Sequence, residues 1–478
     1  MSDRILRGGA IVSAGQAVTL GLSFARNLVL AKLIGAENMG ISAGFLATMS
    51  AVELASDIGM QKQVVQSSDA DSPEFLGTAH SMMLIRGLIL GAVLFLVAKP
   101  CAEWFQAPQA VWAFQLLAFV PIFKSLMNLD VIRIQRSMKF GPFVIVEVVS
   151  QVGALVAGVI AAMVTHSYSA VLIAILTQSF LSGAVSHFVA KELYQLKWSP
   201  NHTTGMADYG WPLMISGILM FVGLFADRFI VGRAYGLVVL GNYALAYSLT
   251  NVPIQAATKI LTSLFFPILS KPSASSSFNE HYSQVSQITA SAAAAFGAVA
   301  ILVLPTLIEL AYDKEFAEAG TIVGLISVMM VVRLLRTAQA QALLALAETK
   351  GLLVSNVMRA LGVPVAFGVA TIGGSVEAVI LIMLLAEVLA LLTSVFWLKY
   401  ARHVPVFPST TQPIIAFGLV VTIFLVDRYV LESSLPVLRF GLATALSAGL
   451  AYHAMTALNG LRTSQRVGAT GKIAQPTG

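Results

Sequence analysis

Cysteine and charge are scarce in this chain. One cysteine, Cys101, stands among 478 residues, which excludes a disulfide framework and a cysteine-rich zinc site. Charged residues make up 11% against 57% hydrophobic ones, and the mean hydropathy is +0.83. Soluble globular domains carry about 25% charged residues, so that class is excluded as well. No Gly-Lys-Ser/Thr phosphate loop occurs, which argues against ATP hydrolysis, and there is no His-Glu-x-x-His zinc motif. The seven histidines are scattered, several of them in loops (His166, His202, His281, His403). Asp69, Asp71 and Glu74 form a small acidic cluster that reads as a solvated face. No cofactor and no metal are expected. The longest polar stretches, 61–77, 191–209 and 271–287, are too short to fold alone.

What remains is apolar. A membrane helix needs about 20 mainly apolar residues, rising ~1.5 Å each, to cross ~30 Å of hydrocarbon. Such runs are expected at 10–31, 41–60, 80–98, 110–128, 142–164, 169–189, 211–232, 241–262, 287–308, 320–343, 351–371, 376–398, 412–427 and 437–458. That makes an all-α integral membrane protein of about fourteen spans. The first run follows Arg4 and Arg7, is too long for a signal-peptide core, and reads as an uncleaved helix. With the N-terminus inside, 15 basic residues fall in inner segments and 5 (Lys32, Lys99, Arg233, Lys314, Arg428) in outer ones. The positive-inside rule then places both termini in the cytoplasm. The net charge of +6 is thereby an orientation signal, and no nucleic-acid partner is expected. Trp104, Trp112, Trp198, Trp211 and Trp397 fall near span ends and read as interfacial anchors, in contact with membrane lipids.

The opening helix recurs. Phe24-Ala25-Arg26 through Lys32 and Gly35 is followed 201 residues later by Phe225-Ala226-Asp227-Arg228 through Arg233 and Gly236, and Gly40 matches Gly241 at the same offset. Each copy opens six spans. The expected organisation is an N-lobe at 1–200, a C-lobe at 201–405, an added helix pair at 406–460 and a cytoplasmic tail at 461–478. Same-orientation repeats build two lobes around a central cavity with alternating access.

Three local patterns accompany this layout. Phe24-Ala25-Arg26 is followed by Lys32 and Gly35-Ala36. Gln135-Arg136-Ser137-Met138-Lys139-Phe140 leads into a span bearing Glu147. Tyr243-Ala244-Leu245-Ala246-Tyr247 is followed by Pro253 and by Phe266-Pro267-Ile268-Leu269-Ser270. In this order and spacing the chain resembles the polysaccharide flippases of the multidrug/oligosaccharidyl-lipid/polysaccharide exporter superfamily. The resemblance implies a substrate, an undecaprenyl-diphosphate-linked oligosaccharide repeat unit. It would be moved across the bacterial inner membrane for exopolysaccharide, capsule or O-antigen synthesis, with a polysaccharide polymerase or ligase complex as a partner. Arg26 is followed by Asn27, where lipid II flippases carry an acidic residue, which points away from a peptidoglycan precursor. The added helix pair points away from the drug exporters, which usually have 12 spans. A cation-coupled exporter of small molecules is the alternative. A membrane glycosyltransferase or polymerase is less favoured, because outer loops of about a dozen residues leave no room for a catalytic domain.

Charges at membrane depth are costly, by about 2.5–3.5 kcal/mol each on insertion scales, and persist where they face water or a partner. Arg26, Arg333, Arg336 and, nearer a span end, Lys259 are candidates to bind the substrate's diphosphate. Arg333 and Arg336, three apart, share a helix face, and guanidinium groups grip phosphate oxygens in pairs. Snorkelling or ion pairing between helices is the other reading for these groups, as it is for Arg86 and Lys124. Glu53 and Asp57, four apart on one span, with Asp227 and Glu387, are candidates for coupling to a proton or cation; structural ion pairing is the alternative. Pro121, Pro212, Pro253 and Pro364 mark expected bends.

Overall fold

The computed structural model describes residues 2–270, 275–402, 411–429, 439–452 and 454. The tail at 461–478, His403 and the last residues of the final expected span lie outside the described residues. Every regular element among the described residues is helical. A chain in hydrocarbon must satisfy its backbone groups within each segment, and the α-helix does this unaided.

In chain order the helices are α1 (Ser2–Ala55), α2 (Met60–Gln66), α3 (Pro73–Trp104), α4 (Val111–Leu116), α5 (Phe119–Ser125), α6 (Asp130–Arg133), α7 (Gly141–Thr165) and α8 (Ser169–Val189). They continue as α9 (Pro200–Leu269), α10 (Ser275–Ala311), α11 (Ala317–Ala345), α12 (Thr349–Ala360), α13 (Gly362–Thr371), α14 (Val376–Arg402) and α15 (Thr411–Tyr429). Residues 439–452 are also helical. Among the described residues, 10 helices are long and apolar enough to cross a membrane, or up to 11 if the bent pair Pro108–Ser125 and Asp130–Ser137 counts as one span. This is a multi-pass membrane protein. Two of these helices, α1 and α9, each contain two expected spans.

Those two helices break at equivalent places. Gly35 sits at φ 80, ψ 172 and Gly236 at φ 84, ψ −177, a conformation that glycine alone adopts without a Cβ penalty. Just beyond the breaks the two copies touch. A Cβ on Gly40 would lie 2.0 Å from the Leu237 carbonyl oxygen, and one on Gly241 would lie 1.9 Å from the Ala36 carbonyl oxygen. Leu237 and Ala36 are themselves 201 apart, so the contact is symmetric. The repeat inferred from sequence therefore has a physical counterpart in the backbone.

Two prolines account for further breaks. Proline clashes with the carbonyl four residues earlier. Pro121 does so at Leu117, between α4 and α5, and Pro364 at Ala360, where α12 ends. The second expected span ends earlier than the sequence suggests: α1 stops at Ala55, and Asp57 lies in the turn beyond it. The Asp57 carboxylate accepts a hydrogen bond from the Gly59 backbone N–H at 2.9 Å, and this local bond competes with helix continuation. Glu53 and Asp57 are thus not on one helical face. The start of α3 is fixed by Ser72, whose hydroxyl accepts from the Glu74 and Phe75 amides, with Pro73 at the first helical position.

The chain packs as two compact units, residues 1–248 and 249–478, with the division inside α9. In the first unit α7 packs on α8 and α1, and α5 packs on α3 and α8. In the second, α11 packs against α10, α14 and α15 and is the most enclosed of the long helices. A charged residue on α11 therefore needs a partner inside its own unit.

Candidate functional site

The second unit contains a buried cluster of charges. Arg333 and Arg336 lie near the middle of α11, and Glu387 lies near the middle of α14. The Arg333 Nε donates to Glu387 Oε1 at 2.9 Å, Arg336 Nε lies 3.7 Å from Oε2, and Arg359 Nη1 on α12 lies 3.8 Å from Oε1. Arg336 also donates to the Asn356 side-chain oxygen at 3.0 Å. Glu387 is 2% exposed and Arg359 6%. Three guanidinium groups thus converge on one buried carboxylate. Two substrate-binding candidates and one coupling candidate thus meet at one place, and Arg359 joins them. Arg359 was not singled out from sequence. Its signal was an arginine inside an expected span, without a spacing to tie it to Arg333.

In the first unit, Glu53, Asp57, Arg86, Lys124, Glu147 and Gln178 line a cleft of about 1330 Å³, its open mouth included. Lys124 Nζ is 2.7 Å from Glu53 Oε1, and both side chains are partly exposed. Arg86 donates to the Ser56 carbonyl at 2.7 Å and to the Glu53 carbonyl at 3.2 Å. It thereby adds a donor to the last carbonyls of α1, where helical partners run out. Lys124 and Arg86 are accordingly held by partners rather than extended to an interface. Arg26 is 9% exposed and donates through Nη1 to the Gln178 side-chain oxygen at 2.9 Å, one residue behind the cleft wall.

The remaining candidates stand apart. Asp227 is 4% exposed. It accepts from the Tyr243 hydroxyl at 2.5 Å and from the Arg228 amide at 2.9 Å, with Arg228 Nη1 at 3.4 Å. The Arg228 guanidinium lies over the Tyr247 ring at 4.2 Å and the Phe225 ring at 4.8 Å, a favourable cation–π arrangement. Asp227 is paired within its own helix. Lys259, on the second half of α9, is exposed.

At the end of the first unit that carries 61–77, 129–140 and 190–199, polar groups interlock. The fully buried Asp130 accepts from the Lys191 and Glu192 amides at 2.6 and 3.1 Å and pairs with Arg133 at 2.6 Å. His80 Nε2 accepts from the Leu129 amide at 3.0 Å, so its Nδ1 carries the proton and donates to the Gln195 carbonyl at 3.2 Å. Tyr194 packs on His80 with ring centroids 4.2 Å apart, and burial pushes its phenol pKa up. Among the described residues no group of three or more His, Cys, Asp or Glu is placed to hold a metal ion.

These features define a multi-helix membrane fold. The structure superposes on the lipid II flippase MurJ in an inward closed conformation with a TM-score of 0.73, at 13% identity, covering 92% of this chain and 97% of that one. It superposes on an inward-facing multidrug resistance MATE family transporter with a TM-score of 0.65, at 14% identity, covering 84% and 95%. Residues 29–321 match the family described as Polysaccharide biosynthesis protein, and the chain belongs to that family. Among curated relatives, the teichuronic acid biosynthesis protein TuaB of Bacillus subtilis (strain 168) is 22% identical over 300 residues, 61% of each chain. The lipopolysaccharide biosynthesis protein WzxC of Escherichia coli (strain K12) is 20% identical over 280 residues, 57% of this chain and 55% of that one. The chain thus spans 55–61% of the length of these two relatives.

Proposed function

We propose that this protein is a flippase, without enzymatic activity, that carries undecaprenyl-diphosphate-linked oligosaccharide across the bacterial inner membrane for surface polysaccharide assembly. Both termini then face the cytoplasm. The observation that carries this reading is the Arg333–Arg336–Arg359 cluster around Glu387. A buried site that gathers three guanidinium groups suits a diphosphate, whose oxygens take paired guanidinium hydrogen bonds. Membership of a polysaccharide biosynthesis family supports the glycan portion of the substrate, and the names of the two bacterial relatives point the same way.

The remaining roles follow from accessibility. Arg26 and Lys259 are secondary contacts for the head group. Of the four carboxylates, Asp227 and Glu387 are buried beside arginines, whereas Glu53, paired with the partly exposed Lys124, and Asp57 line an open cleft; energy coupling is assigned to these two. The two copies of the repeat, an N-lobe at 1–200 and a C-lobe at 201–405, exchange access by moving about the contact at Gly40 and Gly241. The helices beyond 406 and a polymerase or ligase partner complete the assembly.

The test is complementation of a deletion strain. Wild type should restore surface polysaccharide, while Arg333→Ala, produced at equal level, should leave lipid-linked repeat units accumulating on the cytoplasmic side. Normal polysaccharide in the deletion strain, with altered sensitivity to cationic drugs, would replace this reading with that of a small-molecule exporter.

A further inference from the structure

A second basic site in the first unit shares no lining residue with the cleft. Asp71, Arg133, Ile134, Arg136, Ser137, Lys139 and Lys191 line a pocket of about 730 Å³, open to the surface. Four of these seven residues are basic and one is acidic. The two arginines are fixed by protein partners. Arg133 is held between Asp130 and Asp71, at 2.6 and 2.9 Å. Arg136 donates to the Ser67 carbonyl and lies 4.0 Å from Asp71. Asp71 therefore serves both arginines, and Asp130 is fully buried.

The two lysines differ. Lys139 and Lys191 are exposed, yet their backbones are fixed. The Lys191 amide donates to Asp130 at 2.6 Å. Lys139 follows Met138, whose φ of 59° turns the chain toward α7. Both ammonium groups are thus carried to one pocket by rigid supports, while the acids nearby are occupied by arginine. Exposed large apolar residues are close to the lysines along the chain: Met138, 48% exposed, precedes Lys139, and Leu193, Leu196 and Trp198, 79%, 55% and 57% exposed, follow Lys191. Cationic groups beside exposed Trp and Leu are the chemistry of a bilayer interface, where an anionic headgroup meets its acyl chains.

We propose that this pocket binds the phosphate of an anionic bilayer phospholipid, with Lys139 and Lys191 as the contacting charges and Met138, Leu193 and Trp198 lying along the chains. The site is independent of the transported substrate. A bound lipid would tie together the segments 67–72, 133–139 and 190–198, which come from three separate loops.

The test uses the full-length protein in mixed phosphatidylethanolamine–phosphatidylglycerol bilayers, with retained lipid read by native mass spectrometry. Lys139→Gln with Lys191→Gln should weaken phosphatidylglycerol retention roughly thirty-fold, from the attraction of each lysine near a charged surface, and leave phosphatidylethanolamine retention unchanged. Both positions are exposed, so the fold should tolerate the change, and an unaltered melting temperature checks this. Lys62→Gln with Lys350→Gln removes the same charge from other exposed positions and should retain phosphatidylglycerol as wild type does. Equal retention by all three proteins, or an equal loss in both double variants, would overturn the proposal.

Discussion

The two copies of the opening repeat keep the same backbone and carry different charges. Gly35 and Gly236 share one positive-φ conformation, and Gly40 and Gly241 each receive the carbonyl that follows the other copy's break. At the same offset, Arg26 meets Asp227 and Asn27 meets Arg228. Arg26 reaches across to Gln178 on α8. Asp227 and Arg228 instead pair with each other, closed in by Tyr243 and Tyr247. The glycine positions are constrained by sterics that no other residue satisfies, whereas a charge needs only some partner, and each copy found its own. The two copies thus share the close glycine contact while their polar groups differ.

This comparison can be broken at several places. The largest effect is expected at the self-paired copy. Asp227→Ala leaves the Arg228 guanidinium buried without its carboxylate, and removing one partner of a buried pair costs about 3–5 kcal/mol. Thermal unfolding in detergent should show it. The glycine contact comes next: Gly40→Ala and Gly241→Ala each press a methyl into a carbonyl oxygen. Overpacking of this kind costs about 1–3 kcal/mol, and the two losses should be similar because the contact is symmetric. Unequal losses would show that one copy alone depends on it.

Gly35→Ala and Gly236→Ala sharpen the symmetry further, each losing about 1–3 kcal/mol to a positive-φ, extended-ψ backbone that is essentially reserved for glycine. The smallest effect on stability belongs to Arg26→Gln, which removes one hydrogen bond worth about 1 kcal/mol. A melting temperature close to wild type, beside the steep loss in Asp227→Ala, would separate the exchangeable copy from the locked one.

The long apolar helices were legible in the sequence because a membrane span is a matter of length and apolarity, and the offset of 201 exposed the repeat directly. Less legible were the places where polar side chains interrupt that pattern. The expected span at 110–128 is broken at Leu117 by Pro121, and a 54° bend separates Ser125 from Asp130; beyond it the buried Asp130 and His80 organise the backbone. Asp57 ended α1 through a local hydrogen bond that a count of apolar residues does not register. At the site, Arg333, Arg336 and Glu387 were each visible as charges within a span. Their meeting with Arg359 depends on α11, α12 and α14 packing together, which no spacing along the chain encodes.

The most direct test of the account is leaflet-resolved transport in proteoliposomes holding an undecaprenyl-diphosphate-linked oligosaccharide. A lectin outside the vesicle reads the glycan reaching the outer leaflet, for wild type and for Arg333→Ala of equal stability. The account predicts time-dependent exposure with wild type and its loss in the variant. Equal exposure by both proteins, or none by a folded wild type under proton, sodium and voltage gradients alike, would contradict it.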